Sequence, residues 1–571
     1  MDSRTAAHVL SRIAAYLELR GESAFKSRAY EGAAKEIRAL TVDDFAPMYR
    51  SGELGKIRGL GRATLAVIAD LIETGESRYL EQLEAATPKG LMEMLEVPGL
   101  SAARIRQIHE ALAIESVEEL EAAANDGRLA RVPKIGPKTT QRILDGIAAM
   151  RARGSLRLFP HAMAEARHFL EAIRSHPDVQ RTEIAGALRR HLEVVDRVEI
   201  VAACARNPVE VAQSFTRLPG VRNATGDGPS VAIDFIDGAR LAVHCTSPAD
   251  FGVTFWRATG NDDHVADVIA RLAERGVIDD DGELRLPAGA DEATIYRAAG
   301  LPFIEPELRE GLGEVDAAAR GAVPDLLRGS DIRGVLHCHT LYSDGRQSVA
   351  QMVEGARARG WSYLGITDHS QAAFYVSGMT REKILAQHAE IDALNATSTD
   401  IRVLKGVEAD ILADGRVDYD DDTLAMFDFV VGSVHSQLGL SEAAMTERIL
   451  RALDNPHVTI LGHPTGRQLL RRDAYRVNLD AVIDKAISRG VAIELNCEPR
   501  RSDLDWRYLR GAVERGATIE IGPDAHSVAA LDNVEVGVAL ARKGWLTRTD
   551  VLNTRPVEDV LAFARRRPQS S

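Results

Sequence analysis

The sequence predicts a multidomain protein of α+β and α/β class, with a helical N-terminal region and a distorted (β/α)7 barrel at its C-terminal end. Three observations predict this class. The chain has 571 residues, 45% of them apolar, which is enough for three or four domains with real cores. Glycine-containing turns separate apolar helical segments three times before residue 156. Beyond residue 332, a short apolar run followed by a helical segment recurs seven times, as in a parallel sheet closed into a barrel.

The composition predicts a globular cytoplasmic protein. No apolar run approaches the roughly 20 residues that span a bilayer, and the first residues lack the basic-then-apolar pattern of a signal peptide. The net charge of −14 is uneven, because residues 1–156 hold 22 Lys and Arg against 22 Asp and Glu, so the acidic surplus lies beyond them. The neutral N-terminal part can therefore still bind DNA through backbone amides. The four cysteines have neither zinc-finger nor disulfide spacing.

Residues 1–80 and 81–156 are predicted to form two small helical domains that bind the DNA backbone. In the first, residues 54–63 form a turn with two glycines that leads into a helix. The amide groups at such a helix start can bind a phosphate. The arrangement recurs at residues 97–101 and 132–138, and three copies favour helix-hairpin-helix motifs over unrelated tight turns. The predicted DNA-contacting residues are Gly59, Gly61, Gly99, Gly136 and Lys138.

Residues 157–317 change character and predict an α+β domain. Two strand-like segments carry Glu199 and Asp234 among alternating apolar residues. Carboxylates on adjacent strands can hold two divalent ions for phosphoryl transfer. From these residues alone, ordinary solvent-facing strand positions are the favoured interpretation. A connection over residues 318–331 then leads into the barrel domain, residues 332–571.

A candidate metal site begins at the first strand of the predicted barrel. His337 and His339 lie on the same side of this strand because alternate residues face the same way, and Asp344 follows in a turn. A His-x-His pair alone also occurs in ordinary strands, where a backbone carbonyl satisfies one ring. Here most later strands also end in an ionisable residue, and the carboxyl ends of barrel strands converge. These further residues are His369, Glu408, His435, His463, Asp524 and His526.

With these residues in place, the sequence resembles the bacterial and archaeal family X DNA polymerases that carry a C-terminal PHP (polymerase and histidinol phosphatase) domain. The resemblance covers nearly the whole chain in the family's domain order. It rests on residues 299–302 (Ala-Gly-Leu-Pro), 307–311 (Glu-Leu-Arg-Glu-Gly) and 331–334 (Asp-Ile-Arg-Gly), and on the strand-end residues of the barrel. It implies a nucleotidyltransferase-like palm and thumb over residues 157–317 and a PHP domain over residues 332–571.

The resemblance also implies that all nine metal-ligand positions of a PHP domain are filled. Mixed imidazole and carboxylate ligation suits Mn²⁺, Zn²⁺ or Fe²⁺ better than Mg²⁺ or Ca²⁺. Three ions are implied. The first would be held by His337, His339, Glu408 and Asp524, the second by Glu408, His435 and His463, and the third by Asp344, His369 and His526.

Among these ligands, Glu408 and Asp524 are predicted to be catalytic. Arg467 follows the strand that ends at His463 and is predicted to hold the substrate phosphate, with Arg500 or Arg501 as further candidates. For each arginine, an exposed and solvated side chain is the alternative interpretation.

The palm departs from the family pattern. Arg197 stands in place of the first catalytic carboxylate and Glu199 in place of the second, while Asp234 is matched to the third. Ala187 replaces the serine that contacts phosphate in active members. In the first domain, Val67 stands where lyase members carry the Schiff-base lysine. We therefore predict that the polymerase and lyase sites are degenerate.

The leading hypothesis is a metal-dependent 3′-to-5′ exonuclease that acts on gapped, nicked or primer-template DNA in base excision repair. Abasic-site endonuclease and 3′-phosphatase activities remain open beside it. One alternative is an active gap-filling polymerase with a PHP exonuclease. A second is a small-molecule phosphatase of the histidinol-phosphate kind, which would leave three DNA-type turns unexplained. A third is a DNA-binding scaffold with both sites idle, against which the complete ligand set argues.

Overall fold

The chain forms two compact units, Met1–Gly154 and Ser155–Ser571, in a computed structural model. Separate hydrophobic clusters stabilise each unit. The finer predicted boundaries, after residues 80, 156, 317 and 331, stay predictions. The structure describes residues 3–39, 46–57, 59–74, 77–95, 97, 100–236, 238–279, 284–373 and 376–565.

The first unit is built from short helices. Leu10, Ile13 and Leu17 are fully buried on one face of its first helix, because their spacing of three and four residues places them on one stripe. The side chains of Ser77 and Ser101 cap later helices by accepting a backbone N–H three residues on. The helices are Ser3–Leu19, Ala24–Ala39, Ala46–Arg50, Arg62–Thr74, Arg78–Ala85, Lys89–Met94, Ala102–Leu112, Val117–Asn125 and Pro137–Ser155, with 3₁₀ turns at Leu54–Lys56 and Arg128–Arg131.

The second unit begins with strands and helices that pack on one another. Its strands are β1 (Arg157–Leu158), β2 (Val179–Ala185), β3 (Val194–Val195), β4 (Val198–Cys204), β5 (Val221–Thr225), β6 (Ser230–Phe235) and β7 (Arg240–Thr246). Its helices are Phe159–Arg174, Gly186–Arg189, Pro208–Phe215, Phe251–Thr259, Asp262–Glu274, Glu292–Ala298 and Glu314–Ala319, with 3₁₀ turns at Pro306–Leu308 and Gly329–Asp331.

Five of these strands form one sheet in the order β2-β4-β7-β6-β5. Strands β4 and β7 run parallel, and the other neighbours are antiparallel. The apolar face of β4, which includes Ile200 and Ala202, packs with Ala166 and Phe169 of the helix Phe159–Arg174. The opposite face of β4 carries Glu199, because alternate strand residues face opposite sides.

The C-terminal part of the second unit contains the barrel. Its strands are β8 (Gly334–Val335), β9 (Tyr363–Ile366), β10 (Arg402–Asp410), β11 (Phe429–Ser433), β12 (Val458–Leu461), β13 (Ala492–Asn496) and β14 (Ile519–Gly522). Its helices are Val349–Ala358, Arg381–Thr397, Asp421–Leu424, Glu442–Ala452, Leu479–Arg489, Trp506–Glu514, Asn533–Lys543 and Val557–Ala564, with 3₁₀ turns at Ala529–Asp532, Arg548–Asp550 and Leu552–Thr554.

The predicted barrel is confirmed. Strands β8 to β14 are neighbours in their sequence order, and every pair is parallel. Backbone bonds just beyond β8 and β14 bring the first and last strands together: Ala525 N–H donates to His337 O over 3.1 Å, and His339 N–H donates to Ala525 O over 2.9 Å. The barrel is therefore nearly closed, and its strand ends meet at one mouth.

A buried lysine joins the barrel to the preceding α+β part within the second unit. Lys543 donates to the carboxylate of Glu310 and, over 3.0 Å, to the backbone oxygen of Arg190. Its ammonium group also lies 4.5 Å from the centre of the Trp506 ring, and the Trp506 indole donates to Glu193 over 3.0 Å. Burial lowers the pKa of Lys543 to about 8, although the Glu310 carboxylate opposes that shift.

We expect the stability of the second unit to rise between about pH 8 and pH 10 because of Lys543. Its folded pKa of about 8 lies below the ordinary value of 10.5, so the unfolded chain binds more protons in this window. The rise is at most about 3 kcal/mol. Free energies of unfolding in urea at several pH values check this. Lys543→Met is the control and should lack this part of the rise; an identical pH dependence in both proteins would contradict it.

No helix in the part of the chain that the structure describes is long and apolar enough to cross a membrane.

Candidate metal centre

The nine predicted ligands lie together at the mouth of the barrel. His337 and His339 follow β8, Asp344 lies in the next turn, and the others sit at or just beyond the ends of five further strands. Most of these side chains are buried; Asp344 and His526 are more open, with 29% and 37% of their side chains exposed. The open pair marks the side from which a substrate can reach the centre.

Glu408 lies at the middle of the centre. It is 1% exposed and lies near the carboxyl end of β10, so five imidazoles from four strand ends reach its two oxygens. This is the arrangement of a carboxylate that bridges neighbouring ions. The distances are 2.9 Å to His369 Nδ1, 3.5 Å to His337 Nε2 and 3.7 Å to His339 Nε2 from Oε2, and 3.0 Å to His463 Nε2 and 3.2 Å to His435 Nε2 from Oε1.

Several ring nitrogens in the centre are buried without a hydrogen-bond partner among the described residues. They include the Nε2 atoms of His337, His339 and His435. Buried polar atoms are nearly always satisfied, so an unsatisfied group of this kind is explained by a bound ion or water. Imidazole nitrogens facing a shared carboxylate fit Mn²⁺, Zn²⁺ or Fe²⁺. The residues therefore fit the divalent ions that the family resemblance implies.

Three groups of ligand atoms are each compact enough for one ion, since all atoms of a group lie within 4.8 Å of one another. All three predicted sets recur with changes. The first set lacks Glu408, His339 joins the third set, and His369 replaces His463 in the second. The allocation of ligands to individual ions stays a prediction. The groups are His339, Asp344, His369 and His526; His337, His339 and Asp524; and His369, Glu408 and His435.

The electrostatics favour the metal-binding form at some ligands and the protonated form at others. Burial lowers the pKa of His337, His435 and His526, but the carboxylates around them outweigh it and raise all three values. Burial alone would raise the pKa of Glu408, but the imidazoles of His369 and His435 hold it well below its usual value. Burial lowers the pKa of His463 to about 3 and that of His339 to about 4. An ionised carboxylate and neutral imidazoles are the forms that bind metal.

Two further carboxylates, which the sequence patterns did not predict, form hydrogen bonds with predicted ligands. Glu494 Oε1 accepts from His337 Nδ1 over 2.5 Å, and Asp410 Oδ1 accepts from His435 Nδ1 over 2.7 Å. Both act through a histidine, the common arrangement behind metal-bound imidazoles. A signal was available for Glu494, because it interrupts the otherwise apolar run of β13.

A cleft of about 280 Å³ opens over the centre. Its walls include the ligands Asp344 and His526 and, on the other side, Arg472 and Arg501. Arg501 Nε lies 3.1 Å from Asp524 Oδ2. Two guanidinium groups beside a metal-ligand cluster provide positive charge for an anionic substrate.

Arg467 lies differently from the prediction. Its Nε donates to the backbone oxygen of Arg501 over 2.9 Å, and its two other nitrogens donate to Ser502 O and to Asp505, the latter over 2.5 Å. The guanidinium group is thus occupied with the loop that carries Arg501. Among the described residues that line the cleft, the arginines are Arg472 and Arg501.

The structure does not bring together Glu199 and Asp234 of the predicted polymerase site. Arg197 is connected to Asp234 through ion pairs of Asp196 and Arg240. Strand β7 lies between β4 and β6, and the register pairs Glu199 with Ala242 and Ala242 with Ala232. Asp234 is therefore displaced from Glu199 by two strands and by two residues along β6.

Each of these three side chains has another partner. Asp234 accepts from Arg240 Nε over 3.1 Å, and Arg197 pairs with Asp196 over 3.2 Å. Glu199 faces a cavity of about 660 Å³, where its carboxylate lies 3.4 Å from His244 Nε2. The three side chains therefore form local ion pairs and, for Glu199, a contact with a histidine.

Two of the three predicted DNA-contacting turns place exposed residues at the start of helices. Gly59 has a φ of +103°, a conformation that glycine adopts readily and that precedes the helix Arg62–Thr74. Gly61 is exposed as well, and a Cβ there would meet nothing within 4 Å. Gly136 and Lys138 are exposed at the start of the helix Pro137–Ser155. The predicted residue Gly99 lies outside the described residues.

Gly59→Val should weaken binding to gapped DNA. A branched side chain is strained at a φ of +103°, so the turn should shift and withdraw its amides from a phosphate. We expect about a tenfold loss of affinity, which corresponds to about 1.4 kcal/mol, measured by fluorescence anisotropy at fixed salt.

A matched control is Gly127→Val, because Gly127 has a φ of +81° in the same unit and precedes the short turn Arg128–Arg131. It imposes comparable backbone strain outside the predicted contact. Equal affinity losses in the two variants would show that strain in the unit, and not the turn at Gly59, sets the effect.

Comparisons with known proteins agree with this architecture. The helix-hairpin-helix domain profile matches residues 1–77, the SAM-like helix-hairpin-helix tandem matches residues 91–149, and the PHP domain matches residues 336–498. The DNA polymerase/3'-5' exonuclease PolX of Bacillus subtilis (strain 168) is 34% identical over 99% of this chain and 100% of its own length. Probable phosphatases of Caldanaerobacter subterraneus and Clostridium acetobutylicum are each 26% identical over 39% and 38% of this chain, and over 88% and 89% of their own lengths.

The fold and the site thus define an enzyme with a PHP barrel and helix-hairpin-helix regions. Its similarity extends to both ends of the Bacillus relative and includes the palm between these parts. The chain belongs to the PolX family of DNA polymerase/3'-5' exonucleases.

Proposed function

We propose that the barrel hydrolyses phosphodiester bonds of DNA from the 3′ end with the help of divalent ions, and that the protein acts in DNA repair in the cytoplasm. The observation that carries the proposal is the convergence of five imidazoles on Glu408, with ring nitrogens that are buried and unsatisfied among the described residues. The helix-hairpin-helix regions would bind the DNA. The Bacillus relative is named DNA polymerase/3'-5' exonuclease, and its similarity to this chain extends over its full length.

Divalent ions, when bound, supply a nucleophilic water at neutral pH and neutralise the phosphate oxygens under attack. Glu408 and Asp524 would help to hold these ions, and Asp524 Oδ1 lies 3.2 Å from His339 Nε2. Arg501 pairs with Asp524 Oδ2. The Asp524 carboxylate therefore connects the ligand set to the cationic wall of the cleft, which consists of Arg472 and Arg501.

That cationic wall would bind the phosphate of the substrate. Burial lowers the pKa of Arg472, and the nearby cations Arg501 and Arg471 lower it further. Mutual repulsion among these guanidinium groups is relieved by an anion in the cleft. Arg467 would act indirectly, because it holds the backbone of Arg501 and Ser502.

The same chemistry would allow abasic-site cleavage or removal of a 3′-phosphate. A small-molecule phosphatase is the second candidate, since relatives named probable phosphatases match 39% and 38% of this chain. The exposed glycine turns of the first unit favour DNA, because phosphate clamps have no role in hydrolysis of a small phosphomonoester.

Incubation of the purified protein with 5′-labelled gapped DNA tests the proposal. We expect products shortened one nucleotide at a time from the 3′ end, in Mn²⁺ and not after chelation. Abasic-site DNA, 3′-phosphorylated DNA and histidinol phosphate are run in parallel to separate the other activities. Turnover of histidinol phosphate with all DNA left intact would reject the exonuclease in favour of the second candidate.

A further inference from the structure

Glu494 is a buried carboxylate that contacts three different parts of the metal centre. It lies on β13, is 0% exposed and is not one of the nine predicted ligands. Its Oε1 accepts from His337 Nδ1 over 2.5 Å, while its Oε2 accepts from the backbone N–H of His463 over 2.5 Å and from Asn496 Nδ2 over 3.2 Å. Asn496 Nδ2 in turn donates to Asp524 Oδ2 over 3.0 Å.

Each contact fixes a different property of a ligand. In the neutral ring that binds a metal, a proton on His337 Nδ1 leaves Nε2 unprotonated, and Nε2 is the atom that faces Glu408 and Asp524. The bond to the His463 backbone holds a residue whose φ is +24°, a conformation that needs support from its surroundings. The bridge through Asn496 fixes which oxygen of Asp524 stays free for an ion.

The backbone of the neighbouring strand leaves room for this carboxylate. A Cβ at Gly522 would lie 2.0 Å from Glu494 Oε1, so any side chain there would displace it. By contrast, the Asp410 carboxylate contacts one ligand, His435, over 2.7 Å. The barrel thus accommodates Glu494 at the point where strands β8, β12 and β14 deliver their ligands.

We propose that Glu494 is the positioning residue of the metal centre: a single carboxylate sets the tautomer of His337, the backbone of His463 and, through Asn496, the orientation of Asp524. This inference rests on the metal-dependent function proposed above. Because three ligands depend on Glu494 and one on Asp410, loss of the Glu494 charge weakens ion binding more than loss of the Asp410 charge.

Glu494→Gln tests the proposal. An amide N–H would face either the protonated Nδ1 of His337 or the backbone N–H of His463, so one of these contacts becomes repulsive. We expect Mn²⁺ affinity to fall by about 100-fold, and by about 10-fold in Asp410→Asn, measured by equilibrium dialysis with elemental analysis. A positioning role also predicts that excess Mn²⁺ restores most of the DNA cleavage lost in Glu494→Gln, whereas a purely structural role does not.

Glu520→Gln is the matched control. Glu520 is equally buried, adjoins Glu494 beside Gly522 and accepts from Asn553 over 3.1 Å, with no hydrogen bond or ion pair to a predicted ligand among the described residues. Its Mn²⁺ affinity should match the wild type. Equal losses in the Glu520 and Glu494 variants would overturn the proposal, as would wild-type affinity in Glu494→Gln.

Glu494→Asp is the second variant, to be used if Glu494→Gln does not fold. It keeps the negative charge but shortens the side chain by one methylene. We expect this variant to bind Mn²⁺ more weakly than the wild type and to have the same melting temperature. Loss of the fold in both variants would make Glu494 a requirement of the barrel and overturn the proposal. If the wild type binds Mn²⁺ and leaves DNA intact, the proposed exonuclease fails, while the affinities still decide the role of Glu494.

Discussion

Glu408→Ala is expected to lose DNA cleavage and bound metal together. The carboxylate lies 2.9 to 3.7 Å from five imidazoles at the ends of four strands, so its removal would take a shared ligand from neighbouring ions. We expect cleavage of gapped DNA to fall by at least about 10³-fold, which corresponds to about 4 kcal/mol in activation free energy. Single-turnover cleavage in Mn²⁺ and elemental analysis of the same sample measure the two effects.

The barrel should remain folded in this variant, because the apolar positions of its strands are unchanged and the imidazoles can become neutral. Circular dichroism and melting temperature check the fold. Asp400→Ala is the control: it removes a surface carboxylate that pairs with Arg357 over 2.6 Å on the outside of the same barrel. Mn²⁺-dependent cleavage retained by folded Glu408→Ala protein would place the reaction outside this centre.

The barrel could be predicted because its signal is local and repeated. Each short run such as Phe429–Ser433 is apolar and ends beside an ionisable residue, and the parallel closure follows from general rules of topology. The nine predicted ligands were proposed from the same rule together with the family resemblance, and their role as ligands stays a prediction. Glu494 did not follow from this rule because it lies inside its strand and not at the strand end. Its acidic side chain interrupts an apolar run, but that signal does not show which groups of other strands it contacts.

Two other expectations depended on information that sequence order does not contain. Asp234 was matched to Glu199 as though their strands were adjacent, but β7 lies between them, and such sheet order is decided by long-range pairing. Arg467 follows His463 closely in the chain, yet its guanidinium turns away to Asp505 and two carbonyl oxygens. The position of Arg467 in the sequence indicated that its loop lies near the centre. It did not indicate the direction of the side chain.

The palm should fail to extend a primer. Nucleotidyl transfer with two ions needs several carboxylates that converge on cations about 3.5 to 4 Å apart. Here Glu199 has Ala242 as its neighbour on the adjoining strand, Asp234 is engaged by Arg240, and position 197 carries a guanidinium that stays protonated. A divalent ion about 4 Å from such a charge is repelled by about 8 kcal/mol at an effective dielectric near 20. The pairing of Arg197 with Asp196 reduces that repulsion without supplying a ligand.

The measurement is primer extension on gapped DNA with Mn²⁺ or Mg²⁺ and all four dNTPs, using protein that carries Glu408→Ala so that the nuclease cannot erase products. We expect no product longer than the primer. The cavity beside Glu199, of about 660 Å³, leaves room for a nucleotide, so dNTP binding is measured separately by calorimetry. Binding without extension would leave the palm as a nucleotide site that has lost its catalytic carboxylates. Templated extension by the Glu408→Ala protein would show instead that Glu199 and its surroundings suffice for catalysis, and that Arg197 does not block it.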